Sequence, residues 1–245
     1  MFTPTTSTVF AHGVSYLCDN IEILDSIPDK SIDLILTDPP YIVHTSGGSR
    51  SRFSRRAKKI TENLRQNALH EGFNWEYYFG EFLRVCKVPN ILIFCSNDQV
   101  PSTMKFFMDR NISTTLLVWN KTNPIPTRNS HYIPSTEYII YVHGKGATYN
   151  YKGLPVDYNR KVYTSPVIPA HKRVHPTQKP QELISRLIQV HSNKHDIILD
   201  PFAGSGATGI VASSLERYFM LIENNEDFYS RQIEYLRDKI PQVRV

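Results

Sequence analysis

The sequence predicts an α/β protein, a mostly parallel sheet with helices on both faces. Three observations lead there. Strand-like and helix-like stretches alternate along most of the 245 residues. One pair of strands has no helix between its members, so it can run antiparallel. Near the end of the chain a glycine-rich turn joins a short apolar strand to an alanine-rich helix.

The elements follow in chain order. Val14–Cys18 is the first strand, and Asn20 stands where it can cap a helix over 21–27. Ile32–Thr37 is apolar and branched, as a buried strand should be. A helical pattern over 74–87 leads to the strand Ile91–Cys95. Ser96 or Asn97, beside Asp98, can cap the next helix, over 98–110. Thr114–Trp119 and Thr136–Val142 are strands joined by "NKTNPIPTRNSHYIPS", which has no helical period. The stretch 144–174 holds Gly, Pro, Tyr and basic residues without a clear period and reads as an insertion. A helix over 178–191, the strand Ile197–Leu199, a helix over 206–216, the strand Tyr218–Ile222 and a helix over 226–239 complete the series. No internal repeat is present.

Composition excludes several classes. Hydrophobic content of 40% and 14 tyrosines indicate a packed core. No apolar run reaches the ~18 residues that cross a bilayer. The start, "MFTPTTSTVF", lacks a basic and then apolar leader, so a cytoplasmic protein is expected. Cys18, Cys86 and Cys95 are odd in number and lack CxxC spacing, which suits buried reduced thiols. The net charge is +5, yet "RSRFSRRAKK" at 50–59 holds six basic residues, leaving 22 basic against 23 acidic elsewhere. The excess is local. It is either a solvated loop or a loop that meets phosphates.

Two motifs carry chemistry. "TDPPY" at 37–41 ends the Ile32–Thr37 strand on a carboxylate, two prolines and a ring. "DPFAGSGATG" at 200–209 contains Gly204, Gly206 and Gly209 in GxGxxG spacing, and the strand after the helix ends at Glu223. That is the arrangement of a nucleotide-type site, with a tight turn and an acid for ribose hydroxyls. No Gly-Lys-Ser/Thr follows, so a phosphate-loop NTPase is excluded.

Together these motifs resemble the β class of DNA amino-methyltransferases, of restriction-modification type, with the catalytic motif first and the cofactor motif last. "YLCDNIEILDSIPDKSIDLILTDPPY" at 16–41, "VWNKTNPIPT" at 118–127 and "HPTQKP" at 175–180 resemble further blocks of that family, in its order. Ala207 and Ile42 depart from the residues frequent in the family. The resemblance implies the Rossmann-like fold of S-adenosylmethionine-dependent methyltransferases. Its sheet has seven strands, one antiparallel, and is circularly permuted here, running third to seventh and then first and second. It divides the chain into a catalytic part at 1–143, a small target-recognition insertion at 144–174 and a cofactor part at 175–245.

The resemblance also implies roles. Asp38, Pro39, Pro40 and Tyr41 are the catalytic set. S-adenosyl-L-methionine would meet Asp19 at its adenine amine, Glu223 and the adjacent Asn224 at its ribose, and Asp200, Phe202, Gly204 and Gly206 along the glycine turn. Asp38, Thr177 and Lys179 would lie toward its methionine end. Double-stranded DNA would be held by Arg50, Arg52, Arg55, Arg56, Lys58 and Lys59 and, in the insertion, by Arg160 and Lys161. No metal and no membrane are implied, and relatives of this class often form homodimers.

The chemistry fits. An exocyclic amine of adenine or cytosine is a poor nucleophile, and two acceptors around its NH₂ can make it more tetrahedral. Asp38 supplies one acceptor and the Pro39 carbonyl a second, preset by consecutive prolines. A leading Asp favours adenine N6 in this family, with cytosine N4 as the alternative. A pure DNA-binding protein would leave Glu223 and the glycine turn idle, and a nicotinamide enzyme would leave DPPY idle. His191 and His195 read as a solvated helix end, His175 as a support for the turn into Pro176, and Trp75 and Trp119 as core.

Overall fold

The computed structural model describes residues 6–40, 74–124 and 132–240. Its strands are β1 (Thr6–Phe10), β2 (Gly13–Leu17), β3 (Leu34–Thr37), β4 (Asn90–Cys95), β5 (Ser113–Lys121), β6 (Thr136–His143), β7 (Val162–Ser165), β8 (Ile197–Asp200) and β9 (Tyr218–Glu223). Its helices are α1 (Asn20–Ser26), α2 (Trp75–Val85), α3 (Val100–Met108), α4 (Gln181–His191), α5 (Ala207–Ser214) and α6 (Glu226–Lys239).

The strands form one sheet in the order β1-β2-β9-β8-β3-β4-β6-β5-β7. Five central strands, β2, β9, β8, β3 and β4, are mutually parallel. β6 runs antiparallel to both β4 and β5, as the missing crossover helix predicts. β8 and β9 come last in the chain yet sit between β2 and β3, which is the permuted order.

The expected seven strands are present, and the sheet has nine. β1 pairs antiparallel with β2, and β7 pairs parallel with β5. Both additions lie at sheet edges. Their sequences, "TSTVF" and "VYTS", are short and half polar, so neither shows the apolar run of a buried strand. β7 lies inside 144–174, so part of that segment extends the sheet.

Strand alternation divides the core into two layers. Leu34, Leu36, Leu92, Phe94, Ile139 and Ile198 face α4, α5 and α6. Ile35, Ile91, Ile93, Ile140, Leu199 and Ile222 face α1, α2 and α3. The helix starts need one correction. The cap of α1 is Asp19, which accepts the Ile21 amide at 2.9 Å, rather than Asn20. Asn20 is instead buried inside the helix. It donates to the Pro201 carbonyl at 3.3 Å and accepts the Tyr78 hydroxyl at 2.6 Å, fixing the chain just after β8. Ser96 does start the turn before α3, and the Gln99 side chain reaches back to its amide at 3.0 Å.

Trp119 is core, with its indole N–H donated to Ser165 Oγ at 2.9 Å. Cys86 and Cys95 are buried, Cys18 is half-buried, and all three are free thiols. His191 is a second correction. It is 3% exposed against Tyr141, where a solvated helix end was expected. Among the described residues, no helix is long and apolar enough to cross a membrane.

Candidate active site

Parallel α/β sheets present their binding crevice at the carboxyl ends of the strands, where the order of connection reverses. Here β3 and β8 are adjacent parallel strands. β3 ends at Thr37 and enters Asp38-Pro39-Pro40, and β8 ends at Asp200 and enters the glycine turn.

Asp200 ties the two ends together. It accepts Thr37 Oγ1 from β3 at 2.9 Å, Thr208 Oγ1 from α5 at 2.7 Å and the Phe202 amide at 3.2 Å. Burial pushes its carboxyl up to about 6, against the hydrogen bonds from Thr208 and Thr37. Asp200 therefore organises the turn from within.

The turn itself needs glycine. Gly204 and Gly206 have φ of +48° and +74°. A Cβ on Gly206 would come 2.8 Å from the Gln232 side chain, and one on Gly204 would come 3.2 Å from the His175 ring. Glu223, at the tip of β9, accepts the Gly204 amide at 3.0 Å and the Asn225 amide at 2.9 Å. Burial raises its pKa despite these bonds. The Asn224 amide adds a third backbone donor, and a carboxylate's four acceptor positions leave room for a further one. Asp19 stands exposed at the end of β2, the strand beside β9. Asn224 is exposed next to Glu223. The Phe202 ring is half-buried, 5.4 Å from Tyr78. Two acids at neighbouring strand tips thus flank a backbone cradle without side chains, with rings beside it.

Asp38 belongs to a half-buried charge cluster around the buried Lys179. Its Oδ2 accepts a hydrogen bond from Lys179 Nζ, and Lys179 also pairs with Glu137 at 3.2 Å. Glu137 in turn pairs with Lys121 at 2.8 Å. Lys179 is buried, with its ammonium 4.9 Å from the centre of the Phe94 ring. Burial works against that charge, but Asp38 and Glu137 outweigh it and hold the ammonium protonated. Glu137 is likewise held ionised, because Lys179 and Lys121 overcome its burial. β6 is antiparallel, so its first residues reach the carboxyl end of the sheet, and Glu137 arrives there.

The segment before α4 supplies the remainder. His175 Nδ1 lies 3.1 Å from Thr177 Oγ1, and its ring packs edge-on against Phe228. Burial, followed by Lys179 and Arg231, lowers its pKa to about 4, so the ring is neutral and supports the turn. Thr177 is exposed beside it.

The structure thus brings together Asp38, Lys179, Asp200, Gly204, Gly206 and Glu223. Tyr41 and the basic residues Arg50, Arg52, Arg55, Arg56, Lys58 and Lys59 lie outside the described residues. Arg160 and Lys161 are exposed at the start of β7, the end away from Ser165 and Lys121. Sequence reasoning missed Glu137 and Lys121. A signal existed in "TEYIIYVH", where an acid stands at the start of an otherwise apolar strand.

These features define a methyltransferase that uses S-adenosylmethionine. The chain belongs to the N6/N4 DNA methylase family, whose model matches residues 32–234, and it is a DNA methyltransferase of that family. It is 31% identical to the type II methyltransferase M2.MboI of Moraxella bovis, over 85% of this chain and 81% of the relative. It is 28% identical to M2.LlaDCHI of Lactococcus lactis subsp. cremoris, over 86% and 84%. Among solved structures, the M1.HpyAVI–SAM complex superposes with a TM-score of 0.65 at 25% identity, covering 90% of this chain and 98% of that one. The cytosine-N4-specific PvuII methyltransferase shares the fold, with a TM-score of 0.72 at 13% identity, covering 97% and 89%.

Proposed function

We propose that the enzyme methylates the exocyclic N6 amine of adenine at a specific site in duplex DNA. The observation that carries this reading is Asp38, an acid at the end of a rigid strand, gripped by a buried lysine. A leading Asp in this motif is the adenine preference of the family that the sequence resembles.

An amine inside a duplex is out of reach, so the target nucleotide must swing out, at a cost of a few kcal/mol. Asp38 accepts one N–H of that amine and the Pro39 carbonyl accepts the other. Lone-pair density then gathers on N6 and points away from the ring plane. The two prolines fix the backbone in advance, so little reorganisation is needed at the reacting centre. Tyr41 stacks on the base. When bound, S-adenosylmethionine supplies a methyl group activated by a positive sulfur. Asp38 also handles the proton that leaves N6. Lys179 holds the Asp38 carboxylate in place, and Glu137 holds Lys179.

Glu223 takes the ribose hydroxyls of the cofactor, with Asn224 beside it. Asp19 takes the adenine amine, and Gly204, Gly206 and Phe202 line the path to the sulfur. Thr177 and Lys179 face the methionine carboxylate. The basic residues of 50–59 neutralise DNA phosphates, and 144–174 contributes to target recognition.

The test is transfer of labelled methyl from S-adenosylmethionine to unmodified bacterial DNA, followed by nucleoside analysis. Label is expected in N6-methyladenosine and is lost in Asp38→Ala. Label in N4-methylcytosine would keep the mechanism and overturn the base. Undiminished transfer by Asp38→Ala would overturn the role given to this motif.

A further inference from the structure

A cavity of about 370 Å³ lies under α4 at the opposite end of the sheet from Asp38. His143, in its wall, is six residues along β6 from Glu137. At ~3.4 Å per residue the β6 wall runs from about 7 Å beyond Glu137, at Ile139, to about 20 Å, at His143. Asp38, Lys121, Glu137, Lys179, Asp200 and Glu223 do not line the cavity, which is therefore distinct from the methyl-transfer site.

Its wall is aromatic and cationic. Tyr141 stacks on His143 at 4.7 Å and meets His191 at 4.1 Å. Tyr149 and Tyr163 add two further rings, and Leu117, Ile139 and Leu187 supply apolar floor. Arg160, Lys161 and Arg186 supply charge, and among the described residues no carboxylate lines the cavity. Asp157, which pairs with Arg160 at 3.0 Å, lies outside the lining.

Two buried groups in the wall keep capacity for a ligand: Arg186 has no acidic partner among the described residues, and His191 has one unpartnered nitrogen. Arg186 is 5% exposed. Its guanidinium donates to the Tyr158 carbonyl at 3.0 Å and to the Arg160 carbonyl, and it lies 4.9 Å from the Tyr163 ring. It has no ion pair among the described residues, and a guanidinium has five N–H donors. His191, 3% exposed, has no hydrogen-bond partner for Nδ1 among the described residues. A buried cation with no acid opposite it suits an anion, and the neutral His191, whose other nitrogen bonds the Thr148 backbone, offers Nδ1 as an acceptor for an N–H of a base. The volume is at the small end of the range for ligand sites.

We infer that this cavity binds a nucleoside monophosphate, with its base among Tyr141, Tyr149 and Tyr163 and its phosphate on Arg186, Arg160 and Lys161. Rings accept any base face, and guanidinium groups match phosphate geometry. The ligand reaches α4, whose other end follows Lys179 by two residues, so occupancy bears on the helix that carries the Asp38 grip.

The experiment is calorimetric titration of the intact protein, first saturated with S-adenosylhomocysteine so that the cofactor site is filled. The probes are AMP, GMP, CMP and UMP, with the matching nucleosides and inorganic phosphate as controls. At least one monophosphate is expected to bind one to one with a Kd below about 1 mM, and its nucleoside about tenfold more weakly. The exposed double variant Arg160→Ala/Lys161→Ala should weaken that binding about tenfold. Ala147→Phe, which fills the cavity from its wall, should abolish it while S-adenosylhomocysteine still binds. A Kd above about 1 mM for all four would overturn the inference. Binding that survives both variants unchanged would do the same.

Discussion

Glu137→Gln is the most informative single change. It keeps the shape of the side chain and removes one negative charge from a cluster of two lysines and two acids. At 3.2 Å and an effective dielectric of about 20, one Lys179–Glu137 contact is worth about 5 kcal/mol of Coulomb energy. The Lys121 contact at 2.8 Å is of similar size. Removing a buried carboxylate also removes its desolvation penalty, which offsets much of this. Losing one partner of a buried pair costs about 3–5 kcal/mol in net terms. Lys179 retains Asp38, so the stability loss is expected at the low end, about 3 kcal/mol by denaturant unfolding. The effect on catalysis is separate. Once Lys179 is no longer held from both sides, it and Asp38 can shift together, and a displacement near 1 Å costs ~100-fold in rate. Initial rates of labelled methyl transfer at saturating cofactor should show kcat reduced by about 10- to 100-fold, with KM for DNA changed less than about threefold. Glu137→Asp should recover part of the rate. A folded Glu137→Gln enzyme with the wild-type kcat would refute the positioning role of the cluster.

Three further outcomes are expected. Gly206→Ala forces a side chain onto a residue with φ of +74° and into Gln232, so unfolding stability should drop by about 1–3 kcal/mol, with S-adenosylmethionine affinity falling alongside it in calorimetry. Thr208→Val removes a 2.7 Å donor from buried Asp200 and should cost about 1–3 kcal/mol, read as a lower denaturant midpoint at constant slope. For pH, burial and then His143 lower His191 to about 3 from its ordinary 6.5. The unfolded chain thus takes up a proton there that the folded chain refuses. This contribution is fully present above pH 6.5 and is lost as pH falls toward 3, at about 1.4 kcal/mol per unit. Asp200 acts in the opposite sense between about pH 4 and 6, because its folded pKa is raised. In His191→Gln the pH slope of stability between pH 6 and 4 should therefore shift downward by about 1.4 kcal/mol per unit, measured by unfolding at each pH. An unchanged slope would mean that His191 is protonated in the folded protein.

The central strands were legible because burial on both faces forces a continuous apolar composition, as in "LILT" and "NILIFC". The antiparallel placement of β6 was legible for a topological reason, since a connection without a helix cannot make a parallel crossover. Edge strands escape this logic. β1 is exposed at three of its five positions and buries only Phe10, and β7 buries only Ser165. The Asp19 cap was missed because Asp and Asn cap equally well, and only the tertiary bonds of Asn20 to Pro201 and Tyr78 decide between them.

The site divides in the same way. Glycines and strand-end acids are legible because a backbone turn or a rigid strand dictates the residue type locally. Glu137 and Lys179 are 42 positions apart in sequence, and each is ordinary in its own neighbourhood. What brings them together is the antiparallel run of β6, which carries the start of one strand to the carboxyl ends of the others. Permutation strengthens the point. Asp38 and Lys179 are separated by most of the chain, yet β3 and β8 are hydrogen-bonded neighbours, and Asp200 bonds to Thr37 directly. The strand end that carries Asp38 and the glycine turn are therefore one mechanical unit. A change in the glycine turn that loosens Asp200 should reach Asp38 through a single strand contact, whichever motif comes first in the chain.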